Sequence, residues 1–283
     1  MLYALVPIIL LSLLTGAEAD PIRDHFVFPR NDSPVTAEKI GLPKVPPDPL
    51  TSFDGKKLIG FHAPPKDESH PLILYFHGNG GFRDGHFKEL VGHGYGVMAY
   101  AYRGYHGSEG TPNEPDILRD AEVIYAKARA TYPPERIVVM GESIGTGVAT
   151  ILSSRHEEAA LVLDSPYDNT PMVAWSLFSI PVSLGNLLVE DKFHADEAIG
   201  KVKAPVFMSV GCKDDSIPHE RGEALYLRAS NPKKLIAGAC NGHVPLSESA
   251  EMMTKTMAWI DRPVDGGEPE KCPNPQPECK KKE

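Results

Sequence analysis

At 283 residues, 41% hydrophobic and 24% charged, the chain has the mix of a globular protein and is long enough to bury a sizeable core. Its formal charge of -9, with no basic stripe to meet phosphates, excludes nucleic acid as a partner. Length fits one large domain or two small ones.

Leu2 to Leu14 is almost wholly apolar, and Ala17-Glu18-Ala19 has the small-x-small form of a signal-peptidase site. The span is shorter than the about 20 residues of a bilayer-crossing helix. Residues 1–19 therefore read as a cleaved export signal, giving a secreted or periplasmic protein. The alternative is an uncleaved anchor, and membrane association follows only in that case. A proline-rich arm runs from Asp20 to about Pro49, with one short strand expected at His25-Phe26-Val27-Phe28. Lys57 to His62 reads as a strand, the second of a hairpin. Pro71-Leu72-Ile73-Leu74-Tyr75-Phe76 is a continuous apolar run, as in a strand buried on both faces. A glycine-rich loop, His77-Gly78-Asn79-Gly80-Gly81, follows it, then a helix from Arg83 to His93 and a strand from Tyr95 to Tyr100.

Asp116 to Tyr132 is a helix with Ile117, Ala121, Ile124, Tyr125 and Ala128 on one face. Arg136 to Met140 is a strand, and it feeds Gly141-Glu142-Ser143-Ile144-Gly145 and a helix reaching about Arg155. Strands follow at 160–164, 205–211 and 234–237, with helices at 219–229 and 246–260. Strands alternating with helices imply a parallel sheet whose carboxyl-end loops converge on one face. Residues 20–262 form this domain. The stretch 165–200 breaks the alternation; it is either a crossover helix pair or, as its length favours, a short lid. Its Trp175 to Leu188 segment reads as core before acyl pocket. Trp175, Phe178 and Leu184 are the substrate-binding candidates there. Residues 263–283, rich in Pro, Glu and Lys, are expected to be disordered apart from a small disulfide loop. The cysteines are Cys212, Cys240, Cys272 and Cys279. Chain order suggests Cys212–Cys240 and Cys272–Cys279, with free thiols as the alternative for the first two.

The chemistry centres on Ser143. A strand that turns sharply into a helix lifts the serine hydroxyl clear of the sheet, and glycines two positions either side avoid a collision. A serine needs a base to take its proton and an acid to hold that base. His243, in a loop behind the last strand, is the base; His219, at a helix start, reads as a surface or cap residue. Asp214 is the preferred acid, with Asp215 second and Asp164 trailing. Backbone amides of Ile144 and Asn79 are the expected oxyanion donors. Arg103 reads as a structural brace. Neither the cysteines nor the scattered histidines have ligand spacing, so no metal and no cofactor are expected.

The segments His77-Gly78-Asn79-Gly80-Gly81, Arg103-Gly104-Tyr105, Ser108-Glu109-Gly110, Gly141-Glu142-Ser143-Ile144-Gly145, Asp164-Ser165-Pro166, Asp214 with Ile217-Pro218, and Gly242-His243 resemble the abhydrolase-domain serine hydrolases of the α/β-hydrolase superfamily. That branch includes monoacylglycerol and lysophospholipid lipases and protein depalmitoylases. The resemblance covers about His25 to Ile260. It implies the α/β-hydrolase fold, a mostly parallel central sheet flanked by helices with a short lid-like insertion. It implies a serine esterase or thioesterase using Ser143, Asp214 and His243 on a small-molecule ester or thioester, or on an acylated lipid or protein. His106 departs from the pattern, where relatives often carry glycine. Two rival classes share these residues: a serine peptidase, which normally brings a larger cap, and a non-catalytic binding protein, which would usually have lost one member of the triad.

Overall fold

The computed structural model describes residues 27–29, 31–230, 232–264, 266–274 and 279. The leader expected at 1–19 and the His25-Phe26 half of the first strand lie outside them. Val27 and Phe28 are buried but form no strand, and the edge of Phe28 packs on Phe193.

The first strands are β1 (Leu50–Thr51), β2 (Lys57–Leu58) and β3 (Gly60–Ala63). The single strand expected over Lys57 to His62 is broken at Ile59: β2 pairs back on β1, while β3 joins the main sheet. β4 (Leu72–Phe76) is buried at every residue, which its unbroken apolar run dictates. Helix α1 (Lys88–His93) starts later than expected, because Arg83 and His86 are drawn into contacts of the preceding loop. β5 (Gly96–Tyr100) follows, then α2 (Glu114–Arg129), where the Asn113 side chain accepts from the Asp116 amide at 2.9 Å. The α2 face of Ile117, Ala121, Ile124, Tyr125 and Ala128 is buried as its spacing requires.

β6 (Ile137–Glu142) runs into α3 (Ile144–Ser153), a helix buried along its whole length. After β7 (Ala160–Asp164) come α4 (Thr170–Phe178), α5 (Val182–Leu188) and α6 (Ala195–Ala198). The remainder is β8 (Val206–Gly211), α7 (His219–Arg228), β9 (Lys233–Gly238), α8 (Pro245–Glu248) and α9 (Ala250–Asp261). The helix expected over 246–260 is split, because Ser249 leaves helical geometry and caps α9. The main sheet has the order β3-β5-β4-β6-β7-β8-β9, parallel throughout except for β3. The loops after β4, β6, β7, β8 and β9 therefore open on one edge.

Two expectations about the apolar insertion and the tail are corrected. α4 and α5 pack on each other as a hairpin, and Trp175, Leu184 and Leu187 are 46%, 43% and 78% exposed, so this segment is not core. The described part of the tail, 266–274 with Cys279, is not a loose extension. It runs along the open edge of β9, where Gly266 and Glu270 amides donate to the Lys233 and Leu235 carbonyls at 3.0 and 3.1 Å. The disulfides are Cys212–Cys272 and Cys240–Cys279, not the pairs chain order suggests. The reason is the returning tail, which brings one cysteine to the loop after β8 and the other to the loop after β9. Among the described residues no helix is long and apolar enough to cross a membrane.

Candidate active site

Ser143 occupies the junction of β6 and α3 with φ +53° and ψ -123°, a backbone region that side chains other than glycine rarely enter. The turn is tight enough to demand its glycines. A Cβ on Gly141 would stand 2.5 Å from the Gly145 carbonyl oxygen, and one on Gly145 would stand 2.2 Å from that of Phe76. The Ser143 amide donates to the Asp164 carbonyl at 2.8 Å, tying the turn to the neighbouring strand.

The loop after β9 brings His243 over this serine. Ser143 Oγ lies 2.8 Å from His243 Nε2, and His243 Nδ1 lies 2.7 Å from Asp214 Oδ2. A carboxylate can only accept, so Nδ1 carries the hydrogen and Nε2 is left to accept from the serine hydroxyl. Asp214 is held in turn: its Oδ1 accepts from the Ser216 and Ile217 amides at 2.9 and 2.8 Å. Asp215, one residue on, is exposed. Asp164 points elsewhere, accepting from Ser209 Oγ at 2.7 Å; burial, with the charge of Glu142 beside it, pushes its carboxyl up to about 7. His219 pairs with Glu223 at 3.0 Å on α7 and stays out of the site. Burial alone would lower the His243 imidazole. The hydrogen bond and charge of Asp214, with the charges of Glu142 and Asp164, more than reverse that and hold it above 6.5.

Among the described residues, no hydrogen bond uses the backbone N–H of Asn79 or Ile144. Ile144 opens α3, whose first amides have no intrahelical partner. The Asn79 loop is braced from outside. The Phe82 amide donates to His106 Nε2 at 2.9 Å, His106 Nδ1 donates to the Ser33 carbonyl at 2.7 Å, and Asn31 Nδ2 donates to the Gly80 carbonyl at 3.0 Å. His106 has φ +54°, which is why glycine would be the ordinary residue there; here the ring does the bracing. Arg103 is a buried brace, donating to Asp120 at 2.6 Å and Asp54 at 2.7 Å and reaching Ser52.

Ser165, quoted above only within Asp164-Ser165-Pro166 and given no role there, also belongs to this cluster of contacts. Its hydroxyl donates to Asp214 Oδ2 at 3.1 Å and accepts from the Val244 amide at 3.0 Å, joining the acid to the loop of the base. The signal was its place directly after a strand-ending aspartate. Trp175 and Leu184 stand exposed on the α4–α5 hairpin, with Phe178 half-buried. Of groups with metal-ligand chemistry, the described residues bring together His219, Glu223 and Cys272, and the Cys272 sulfur is already bonded to Cys212.

Residues 71–199 match a family model described as the α/β hydrolase fold. The chain is 32% identical over 211 residues to lysophosphatidylserine lipase ABHD12 of Danio rerio, covering 64% of this chain and 53% of the lipase, so it spans about half of that relative. It is 33% identical over 196 residues to an uncharacterized protein of Mycobacterium tuberculosis, covering 67% of this chain and 69% of the relative. A solved esterase of Pyrococcus furiosus shares its fold, with a TM-score of 0.66 at 22% identity over 84% of this chain and 98% of the esterase.

Proposed function

This chain belongs to the α/β-hydrolase family, and from that premise we propose that it is a serine hydrolase of carboxylic esters or thioesters. Ser143 is the nucleophile, His243 the base and Asp214 the acid that orients it. The observation that carries this reading is the chain of contacts at 2.8 and 2.7 Å from a strained serine to a histidine to a buried carboxylate. In the reaction Ser143 Oγ adds to the acyl carbon while His243 Nε2 takes its proton. The amides of Asn79 and Ile144 stabilise the oxyanion, an effect worth about 10²–10³ in rate per donor. His243 then returns the proton to the leaving alcohol or thiol, and water repeats the sequence on the acyl-enzyme.

The relatives include a lipase and an esterase, which supports ester hydrolysis as the activity. A single-acyl lipid ester is a substrate class in keeping with the name of the zebrafish relative. The apolar α4–α5 hairpin, with Trp175, Phe178 and Leu184, is short enough to cover a small to medium acyl group. Two disulfides support an oxidising, exported setting.

The test is covalent capture by a labelled fluorophosphonate, with Ser143→Ala beside the unaltered chain. Labelling at Ser143 that the variant abolishes, with ester turnover down by orders of magnitude, is expected. Near-normal turnover by folded Ser143→Ala would sink the reading. p-Nitrophenyl esters run beside aminoacyl anilides separate esterase from peptidase: faster cleavage of the anilides would favour the latter.

A further inference from the structure

Beside the proton relay lies a second set of charged groups that the relay does not use. Glu142, between Gly141 and Ser143, is 4% exposed, a place where an isolated carboxylate is costly. Arg83 answers it with both arms of its guanidinium: Nη1 donates to Oε1 at 2.6 Å, and Nη2 donates to Oε2. Tyr75 donates its hydroxyl to Oε2 at 2.8 Å, and His86 Nε2 lies 3.4 Å from the same oxygen. Burial would raise the Glu142 carboxyl, but His86 and Arg83 hold it well below the usual range, so it is ionised.

The partners come from one place. Arg83 and His86 belong to the connection after β4 that also presents the Asn79 amide. The carboxylate lies directly under that loop: a Cβ on Gly78 would be 3.0 Å from Glu142 Oε1 and 3.2 Å from Ser143 Cβ. A buried ion pair contributes little net stability compared with an apolar replacement. What a two-armed arginine–carboxylate contact does supply is fixed distance and angle. Here it spans the gap between the two segments that carry the oxyanion amides. Arg83 itself is 40% exposed at the side chain, so it does not fill the core.

We propose that Glu142 and Arg83 are positioning residues: their paired contact sets the spacing between the Ile144 amide behind Ser143 and the Asn79 amide facing it. The proposal rests on Ser143 being the nucleophile. Its test uses the full chain with Arg83→Met, Glu142→Gln, the double variant and Arg83→Lys. Each single variant is expected to lose about 10- to 100-fold in kcat, less than a whole oxyanion donor, with KM within about twofold. The double variant should be no worse than the poorer single, because the two residues act as one unit. Arg83→Lys keeps the charge but not the fork and should fall between. Fluorophosphonate still labels Ser143 in every variant, more slowly.

A second readout separates positioning from scaffolding. The charges facing His243 are those of Asp214, Glu142 and Asp164. Removing that of Glu142 should move the acid limb of kcat/KM to lower pH, a change that mere loosening of the fold would not produce. A folded Arg83→Met protein with unaltered kcat and labelling rate, or losses that add in full in the double variant, overturns the proposal alone. Absence of labelling in the unaltered chain overturns the nucleophile reading, and this inference with it. Should Glu142→Gln not fold, the half-exposed Arg83 position still decides the matter.

Discussion

Asp214 and Asp215 are adjacent in sequence, yet only one can serve His243. The turn amides of Ser216 and Ile217 clamp Asp214 Oδ1 and leave Oδ2 for the imidazole, while Asp215 faces solvent. Asp214→Asn should therefore reduce kcat by roughly three to four orders of magnitude, as loss of the orienting acid does in such relays, and Asp215→Asn should have little effect. The pH dependence follows from the raised His243. The proposed base would work only when neutral, so ester turnover should be lost as pH falls through a value above 6.5. Asp214→Asn removes the largest stabiliser of the imidazolium and should move that limb downward in a pH–rate profile. An unshifted limb, or a larger loss with Asp215→Asn, would reverse the assignment. That Ser143, Asp214 and His243 would come together was legible because each sits in a local pattern of its own at or just past a strand end. Ser165 and the Arg83–Glu142 pair were not, since their partners lie 49 to 79 and 59 residues away.

The strands were the most legible elements. β4, β6, β7 and β8 are buried runs whose apolar character needs no partner to be recognised. Element ends were less so, because side chains there choose between helix and site: Arg83 and His86 leave α1 for Glu142. The α4–α5 hairpin misled for a different reason. Its composition is that of a core, but Trp175, Leu184 and Leu187 are left exposed among the described residues, and composition does not tell covered from uncovered. On the proposed function, the exposed apolar surface of this insertion is where an acyl group would rest. Each buried methylene contributes about 0.8 kcal/mol, or about fourfold in kcat/KM per added carbon. Trp175→Ala with Leu184→Glu should flatten that rise across a p-nitrophenyl ester series. A slope identical to that of the unaltered chain would remove the hairpin from substrate binding.

At the scale of the whole molecule, the described part of the tail covers one edge of the sheet and is bonded to the loops that carry Asp214 and His243. Cys212 precedes Asp214 by two residues, and Cys240 precedes His243 by three. The bridges span sequence separations of 60 and 39 residues, for which loop entropy alone gives about 4 kcal/mol of stabilisation each. Reduction under mild thiol should lower the melting temperature and reduce ester turnover together, and pairwise Cys212→Ser with Cys272→Ser should reproduce part of both. Retained melting temperature and turnover in fully reduced protein would show the bridges to be incidental. Chain order suggested the wrong pairs because it treats the nearest cysteine as the partner, whereas the path of the tail along β9 is set by backbone hydrogen bonds that no cysteine spacing encodes.

The two bridges also interleave: the first begins at 212 and ends at 272, the second begins at 240 and ends at 279. Any one peptide bond between residues 212 and 279 can then be cut without releasing a piece, because each such cut is spanned by at least one bridge. The serine lies on the uncut side, and the segments bearing acid and base remain tethered to it covalently. A protease that nicks this quarter of the molecule once leaves a two-chain protein of unchanged mass apart from one added water. The components separate only when the sulfurs are reduced.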